Sequence, residues 1–180
     1  MATACSTDLR DDINDNLFQL SLKFAAGELR FLREFKPQQR HAIRSVLQGR
    51  DVFVNLPTGF GKSLIYQTVP LCWKFIRQYA SPTTETLTTA SVVSVVISPL
   101  ISLMQDQTRA LNAIGIRAVY MGEISDQDQM ELVLQGGLST VPMVVYMSPE
   151  NALGSGRSWI QSCKGICGLF VDESHCIGKW

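Results

Sequence analysis

The sequence predicts a doubly wound α/β domain, a mostly parallel sheet with helices on both faces. Short apolar runs at residues 51–55, 92–97, 116–120, 143–147 and 168–171 alternate with helical patterns at 38–48, 62–79, 100–114 and 126–135. Strands joined by helical crossovers run parallel and have helices on both sides. The chain has 180 residues, 46% hydrophobic and 18% charged, enough for one α/β domain with a real core. No internal repeat and no interdomain linker divides it. We separate only a polar, helical N-terminal extension, 1–25, from a single lobe, 26–180.

In chain order, Phe18, Leu22, Leu29, Leu32, Ile43, Val46 and Leu47 recur at helical spacings, predicting two or three short helices before the first strand. Pro37 suits the first turn of the helix over 38–48, and Gly49 closes it. A strand at 51–55 leads through a loop at 56–61 into a helix over 62–79, which Pro70 is expected to kink or interrupt. Residues 80–90, rich in Ser and Thr, read as an exposed loop, and 154–157 as a Gly/Ser turn.

Sixteen basic residues balance sixteen acidic ones, so net charge does not announce a nucleic-acid binder. Between 23 and 50, however, Lys23, Arg30, Arg33, Lys36, Arg40, Arg44 and Arg50 face only Glu28 and Glu34. That cluster is either a solvated helix face or a nucleic-acid patch. Five scattered cysteines and two histidines lack zinc-ligand spacing and read as reduced thiols. No window approaches the ~18 apolar residues of a membrane span. The N-terminus carries Asp8, Asp11, Asp12 and Asp15 in place of a basic start. A soluble intracellular protein without a secretory signal is expected.

Leu56-Pro57-Thr58-Gly59-Phe60-Gly61-Lys62-Ser63 follows an apolar run and opens a helix, the context of a phosphate-binding loop. Glycines let backbone amides converge on phosphate oxygens and the helix N-terminus adds a positive field. Lys62 would reach the β- and γ-phosphates and Ser63 would ligate magnesium. Leu56 stands where glycine is usual in such loops. Gly168-Leu169-Phe170-Val171-Asp172-Glu173 is an apolar strand ending in two carboxylates, at the strand end where open α/β sheets bind ligands. Asp172 would hold the metal and Glu173 would orient the attacking water. A capping serine and a solvated acidic turn are the plainer readings of each motif alone; their co-occurrence favours an ATPase that uses ATP and Mg2+.

These residues resemble the RecQ-like group of superfamily 2 DNA helicases, from about Phe31 to Trp180. Phe35-Lys36-Pro37-Gln38-Gln39 is similar to the family's adenine-recognition motif, which implies nucleotide contacts from Phe31, Lys36 and Gln39, with Gln39 reading the base. The phosphate loop continues as Leu64-Ile65-Tyr66-Gln67, and Phe60 replaces the middle glycine usual in the family, so a narrowed nucleotide pocket is expected. Residues 96–107 resemble motif Ia and 146–150 motif Ib. The resemblance implies DNA-backbone contacts at Ser98, Pro99, Leu100, Gln105, Ser148, Pro149 and Glu150. After the acidic pair come Ser174, His175, Cys176-Ile177, Gly178-Lys179 and Trp180; Cys176-Ile177 and Trp180 favour this group over DEAD-box RNA helicases. By resemblance, His175 and Trp180 couple nucleotide state to DNA.

The resemblance further implies a RecA-like P-loop domain truncated after the Walker B strand. Motif III, a second RecA-like lobe with an arginine finger, and zinc-binding and winged-helix regions would be missing. Such a finger is worth about 10³–10⁵ in rate. The fragment is therefore expected to bind ATP weakly, hydrolyse it barely, and serve as the ATP-binding lobe of a 3′-to-5′ helicase acting on single-stranded or forked DNA. It would work in the nucleus if the source is eukaryotic and otherwise in the cytoplasm. A superfamily 2 RNA-helicase lobe and a non-catalytic ATP-binding or interaction fragment are the alternatives.

Overall fold

The computed structural model describes residues 10, 13–31, 33–80, 92–122, 143–163 and 165–173. The expected loop at 80–90 and helix at 126–135 lie almost wholly outside them. The helices are α1 (Asp15–Glu28), α2 (Pro37–Leu47), α3 (Lys62–Ala80), α4 (Ile101–Ala113), α5 (Pro149–Leu153) and α6 (Gly156–Ser162). The strands are β1 (Val93–Ile97), β2 (Arg117–Tyr120), β3 (Met143–Met147) and β4 (Ile166–Val171). They form one sheet in the order β2-β3-β1-β4, every pair parallel.

Side chains alternate across a strand, and here both faces are covered. Val96, Val144 and Tyr146 join α1 to α4 in one core with Ile43, Val69, Met104 and Leu111. Val93, Val95, Met143, Val145 and Met147 meet Ala152 of α5 and Trp159 of α6 in a second. This is the predicted doubly wound arrangement. Of the described helices, none is long and apolar enough to cross a membrane.

Local chemistry sets the helix ends. Asn14 caps α1 by accepting the Leu17 N–H at 2.9 Å. α1 buries Leu17, Phe18, Leu22 and Ala25, one helical stripe. The division at 25/26 falls inside this helix. Pro37 opens α2, and Gly49, at φ 74°, turns the chain out of it.

Three expectations need correction. α3 runs unbroken through Pro70, because Val69, Leu71, Cys72, Trp73 and Ile76 are buried on it, and that burial outweighs a proline penalty of ~3 kcal/mol. Residues 51–55 alternate in exposure as a strand would but have no ladder partner among the described residues. A cavity of about 700 Å³ separates them from β4. The Gly/Ser turn expected over 154–157 is present but confined to Gly154 and Ser155, because α5 ends at Leu153 and α6 already begins at Gly156.

Among the described residues β4 is a sheet edge, with Leu169 and Val171 exposed on it. Its pairing with β1 slips by one residue: Ile166 faces Val93, then Gly168 faces Ser94. Cys167 is the extra residue, and its buried thiol donates to the Val93 carbonyl at 3.3 Å. Burial pushes this thiol up to about 12, so it stays protonated.

Ile43 of α2 is fully buried in the core, where α2 packs on α3. Ile43→Ala is expected to cost about 2–5 kcal/mol, read as a lower urea midpoint at unchanged slope.

Candidate functional site

Because the strands are parallel, their carboxyl ends share one edge, where Ser98, Ser148 and Asp172 each follow a strand directly. Asp172 extends the β1–β4 ladder by donating its N–H to Ile97 O at 2.8 Å. Its carboxylate accepts the Glu173 N–H at 3.1 Å. Glu173 sits at φ 54°, an uncommon left-handed conformation for a non-glycine residue.

The loop ahead of α3 turns through Gly59 at φ 78° and Gly61 at φ 90°. A Cβ on Gly61 would approach Gln39 Nε2 to 2.7 Å, so this glycine also permits close approach. Lys62, Asp172 and Glu173 all line the cavity between residues 51–56 and β4. Lys62 Nζ donates to the Leu56 carbonyl at 3.0 Å. Burial raises the Asp172 carboxyl above its ordinary range; the hydrogen bond from Glu173 and the charge of Lys62 pull the other way. The fold thus brings the phosphate-loop lysine and the acidic pair to one cavity.

Gln39 is buried, and its carboxamide is engaged at both ends. Oε1 accepts the Lys36 N–H at 2.9 Å, while Nε2 donates to the carbonyls of Phe60 and Gly61, both at 3.1 Å. Lys36 Nζ lies 3.7 Å from the centre of the Phe60 ring and 3.4 Å from the Phe60 carbonyl oxygen. Phe31 packs beside Phe35 with ring centres 5.3 Å apart. The adenine-motif residues therefore hold the phosphate loop directly, and Pro57, Thr58 and Gly59 are exposed along it.

Ser63 begins a network that the sequence did not indicate. Gln107 Nε2 of α4 donates to Ser63 Oγ at 3.2 Å, and Tyr66 OH donates to Gln107 Oε1 at 2.8 Å. Burial pushes the Tyr66 phenol up to about 12 and raises that of Tyr146, so both stay neutral; Tyr146 OH accepts from Gln67 Nε2 at 3.4 Å. Tyr66 and Gln107 stand in the motif blocks, but nothing in sequence links positions on two different helices.

At the remaining edge positions, Ser98 is buried and its hydroxyl accepts the Leu100 N–H at 3.3 Å. Ser148 caps α5 by accepting the Asn151 N–H at 3.3 Å, with Pro149 buried behind it. Leu100 and Glu150 are exposed, Pro99 and Gln105 half-buried. Hydrogen bonding to its own N–H and to Ser148 lowers the Glu150 carboxyl. In the basic cluster, Arg44 pairs with Asp15 and lies over the Phe18 ring, and Arg50 bonds Ser45 and Gln48. These cations are spent on the fold. His175 and Trp180 lie outside the described residues.

A parallel sheet with a glycine-bearing loop entering a helix, facing an acidic strand end, defines a P-loop nucleotide-binding lobe. Comparison with known proteins agrees: residues 36–180 match the DEAD/DEAH box helicase family. The chain is 32% identical over 148 residues to "ATP-dependent DNA helicase RecQ" of Haemophilus influenzae, covering 82% of this chain and 21% of that protein. It is 34% identical over 151 residues to "ATP-dependent helicase SGS1" of Saccharomyces cerevisiae, 81% of this chain and 10% of the relative. To "ATP-dependent helicase wrn-1" of Caenorhabditis elegans it is 35% identical over 148 residues, 81% and 12%. The chain belongs to the DEAD/DEAH box helicase family, in its RecQ-like group. It spans about a fifth or less of the length of these relatives.

The raised Asp172 carboxyl has a stability consequence. The folded state holds that proton more tightly than the unfolded chain, so stability falls as pH rises through the folded value, and the burial penalty is fully present above it. Asp172→Asn removes the penalty and keeps an oxygen for the Glu173 N–H. It is expected to melt above the parent at neutral pH, with the gap closing as pH falls to the ordinary aspartate range. An equal gap at every pH in differential scanning calorimetry would contradict this.

Proposed function

We propose that the chain binds ATP with Mg2+ in the cavity between the phosphate loop and Asp172, as the ATP-binding lobe of a RecQ-like 3′-to-5′ DNA helicase. The observation that carries the reading is that Lys62 and Asp172, distant in sequence, line one cavity at the carboxyl edge of a parallel sheet. The donor set suits magnesium. The described residues contain no group of three or more His, Cys, Asp or Glu able to enclose a metal. Magnesium is commonly held by one or two carboxylates together with substrate phosphates and water. Ser63 and Asp172 would supply the protein's share, and the ion would neutralise charge on the β- and γ-phosphates.

The remaining roles belong to the chain's own groups. Lys62 exchanges the Leu56 carbonyl for a phosphate oxygen. Gln39, with Lys36 and Phe31, borders the base, and loop amides from Thr58 to Ser63 bind phosphate. Glu173 accepts a hydrogen bond from the attacking water. DNA runs along the edge formed by Ser98, Pro99, Leu100, Gln105, Ser148, Pro149 and Glu150, contacted through its backbone, with His175 and Trp180 coupling the two ligands. DNA is favoured over RNA because the Haemophilus relative is an "ATP-dependent DNA helicase". Strand separation is proposed of proteins of the relatives' length, acting in the nucleus of a eukaryote or the cytoplasm of a bacterium.

The test is binding of a fluorescent ATP analogue to the purified chain. A charge-assisted contact is worth about 1.5–3 kcal/mol, so Lys62→Ala is expected to weaken binding roughly ten- to hundred-fold. Unchanged affinity would overturn the assignment. Stimulation of binding by single-stranded RNA but not DNA would overturn the choice of polymer.

A further inference from the structure

The Ser63 hydroxyl ends a short hydrogen-bonded relay. Tyr66 OH donates to Gln107 Oε1 at 2.8 Å, and Gln107 Nε2 donates to Ser63 Oγ at 3.2 Å. Tyr66 thereby fixes which way the Gln107 carboxamide faces, since its oxygen accepts and its nitrogen donates. Ser63 Oγ has two lone pairs. Gln107 takes one, leaving the other for a cation.

This relay is anchored at both ends. Tyr66 is buried, its ring edge-on to Tyr146 at 6.2 Å and 5.9 Å from Phe170. It also feels the charge of Asp172. Gln107 comes from the middle of α4, six residues or about 9 Å beyond the start of that helix. Met104 and Leu111 fasten α4 to the core independently of Gln107. Gln107 therefore links Ser63 to a helix that begins at the proposed DNA edge.

We infer that Gln107 is a positioning residue: together with Tyr66 it presents the Ser63 hydroxyl to the magnesium of bound ATP and carries occupancy of that site along α4 to residues 98–104. The inference rests on the nucleotide reading above but adds a link that reading does not require. Ser63 would ligate the metal with or without a partner on α4.

The experiment uses the full chain and a fluorescent ATP analogue, titrated with Mg2+ and with a chelator; the readout is the affinity gained on adding Mg2+. Gln107→Leu and Tyr66→Phe are each expected to cut that gain about five-fold, the size of one neutral hydrogen bond. The double variant should lose little more than either single one, because Tyr66 and Gln107 act on Ser63 in series. In hydrogen exchange, residues 98–104 should respond to Mg2+ with nucleotide in the parent and not in Gln107→Leu. Tyr66→Phe keeps the packed ring, so it tests the idea even if Gln107→Leu does not fold. An undiminished gain in the variants, or an unchanged response at 98–104 in Gln107→Leu, overturns the proposal. If Ser63→Ala abolishes the gain in that same series, the nucleotide reading survives alone. A parent chain with no Mg2+ gain sinks both.

Discussion

The parallel pairing of β1 with β3 and β4 is the constraint on which the strand-end chemistry depends. It aligns three carboxyl ends, and its register decides which side chains face α3. Residues opposite one another in a parallel ladder point to the same side, so a one-residue slip reverses the face. Without the extra residue at Cys167, Val171 would stand level with Ser98. The slip after Val93 instead puts Gly168, Phe170 and Asp172 in phase with Ser94, Val96 and Ser98. Phe170 accordingly packs near Tyr66, and Asp172 acts electrostatically on Lys62 and Tyr66. A buried thiol bonded to the Val93 carbonyl holds the slip in place. Cys167 thus matters to the site through register, although it lies well back along the strand.

Features that depend on local backbone or periodicity were legible in the sequence. Gly59 and Gly61 adopt the positive φ that their spacing before Lys62 suggests, and continuous apolar runs marked β1 to β4. Features that depend on neighbours were not. Pro70 reads as a break, yet the burial around it outweighs its local penalty. The segment at 51–55 has a strand's alternation, but a ladder needs a partner, which periodicity cannot supply. α5 and α6 are short and follow Ser148 and Ser155, so turn composition masks them. The Cys167 slip and the Gln107 bond to Ser63 depend on register and helix docking, which no local pattern encodes.

The phosphate loop is internally satisfied. Lys62 bonds Leu56 O, Gln39 bonds the carbonyls of Phe60 and Gly61, and Lys36 lies on the Phe60 ring. Each contact lowers the energy of the loop without ligand, and those that ligand binding displaces subtract from affinity. Against that stands order. A loop held near one conformation loses less entropy when phosphate arrives than a free one does. Gln39 is placed so that either outcome uses the same group, since its amide grips the loop that it would otherwise release to border a base.

Phe60 sharpens this balance. A glycine at that position would leave the Lys36 ammonium in water and the loop free to sample more backbone states. The aromatic ring gives the cation a face at 3.7 Å and ties the tip of the loop to the start of α2. A cation–π contact near solvent is worth about 0.5–1 kcal/mol, enough to bias the loop yet small beside a charge-assisted phosphate contact. The ring therefore restrains the loop without competing seriously with nucleotide. Phe60 thus restrains the tip of the loop from the α2 side.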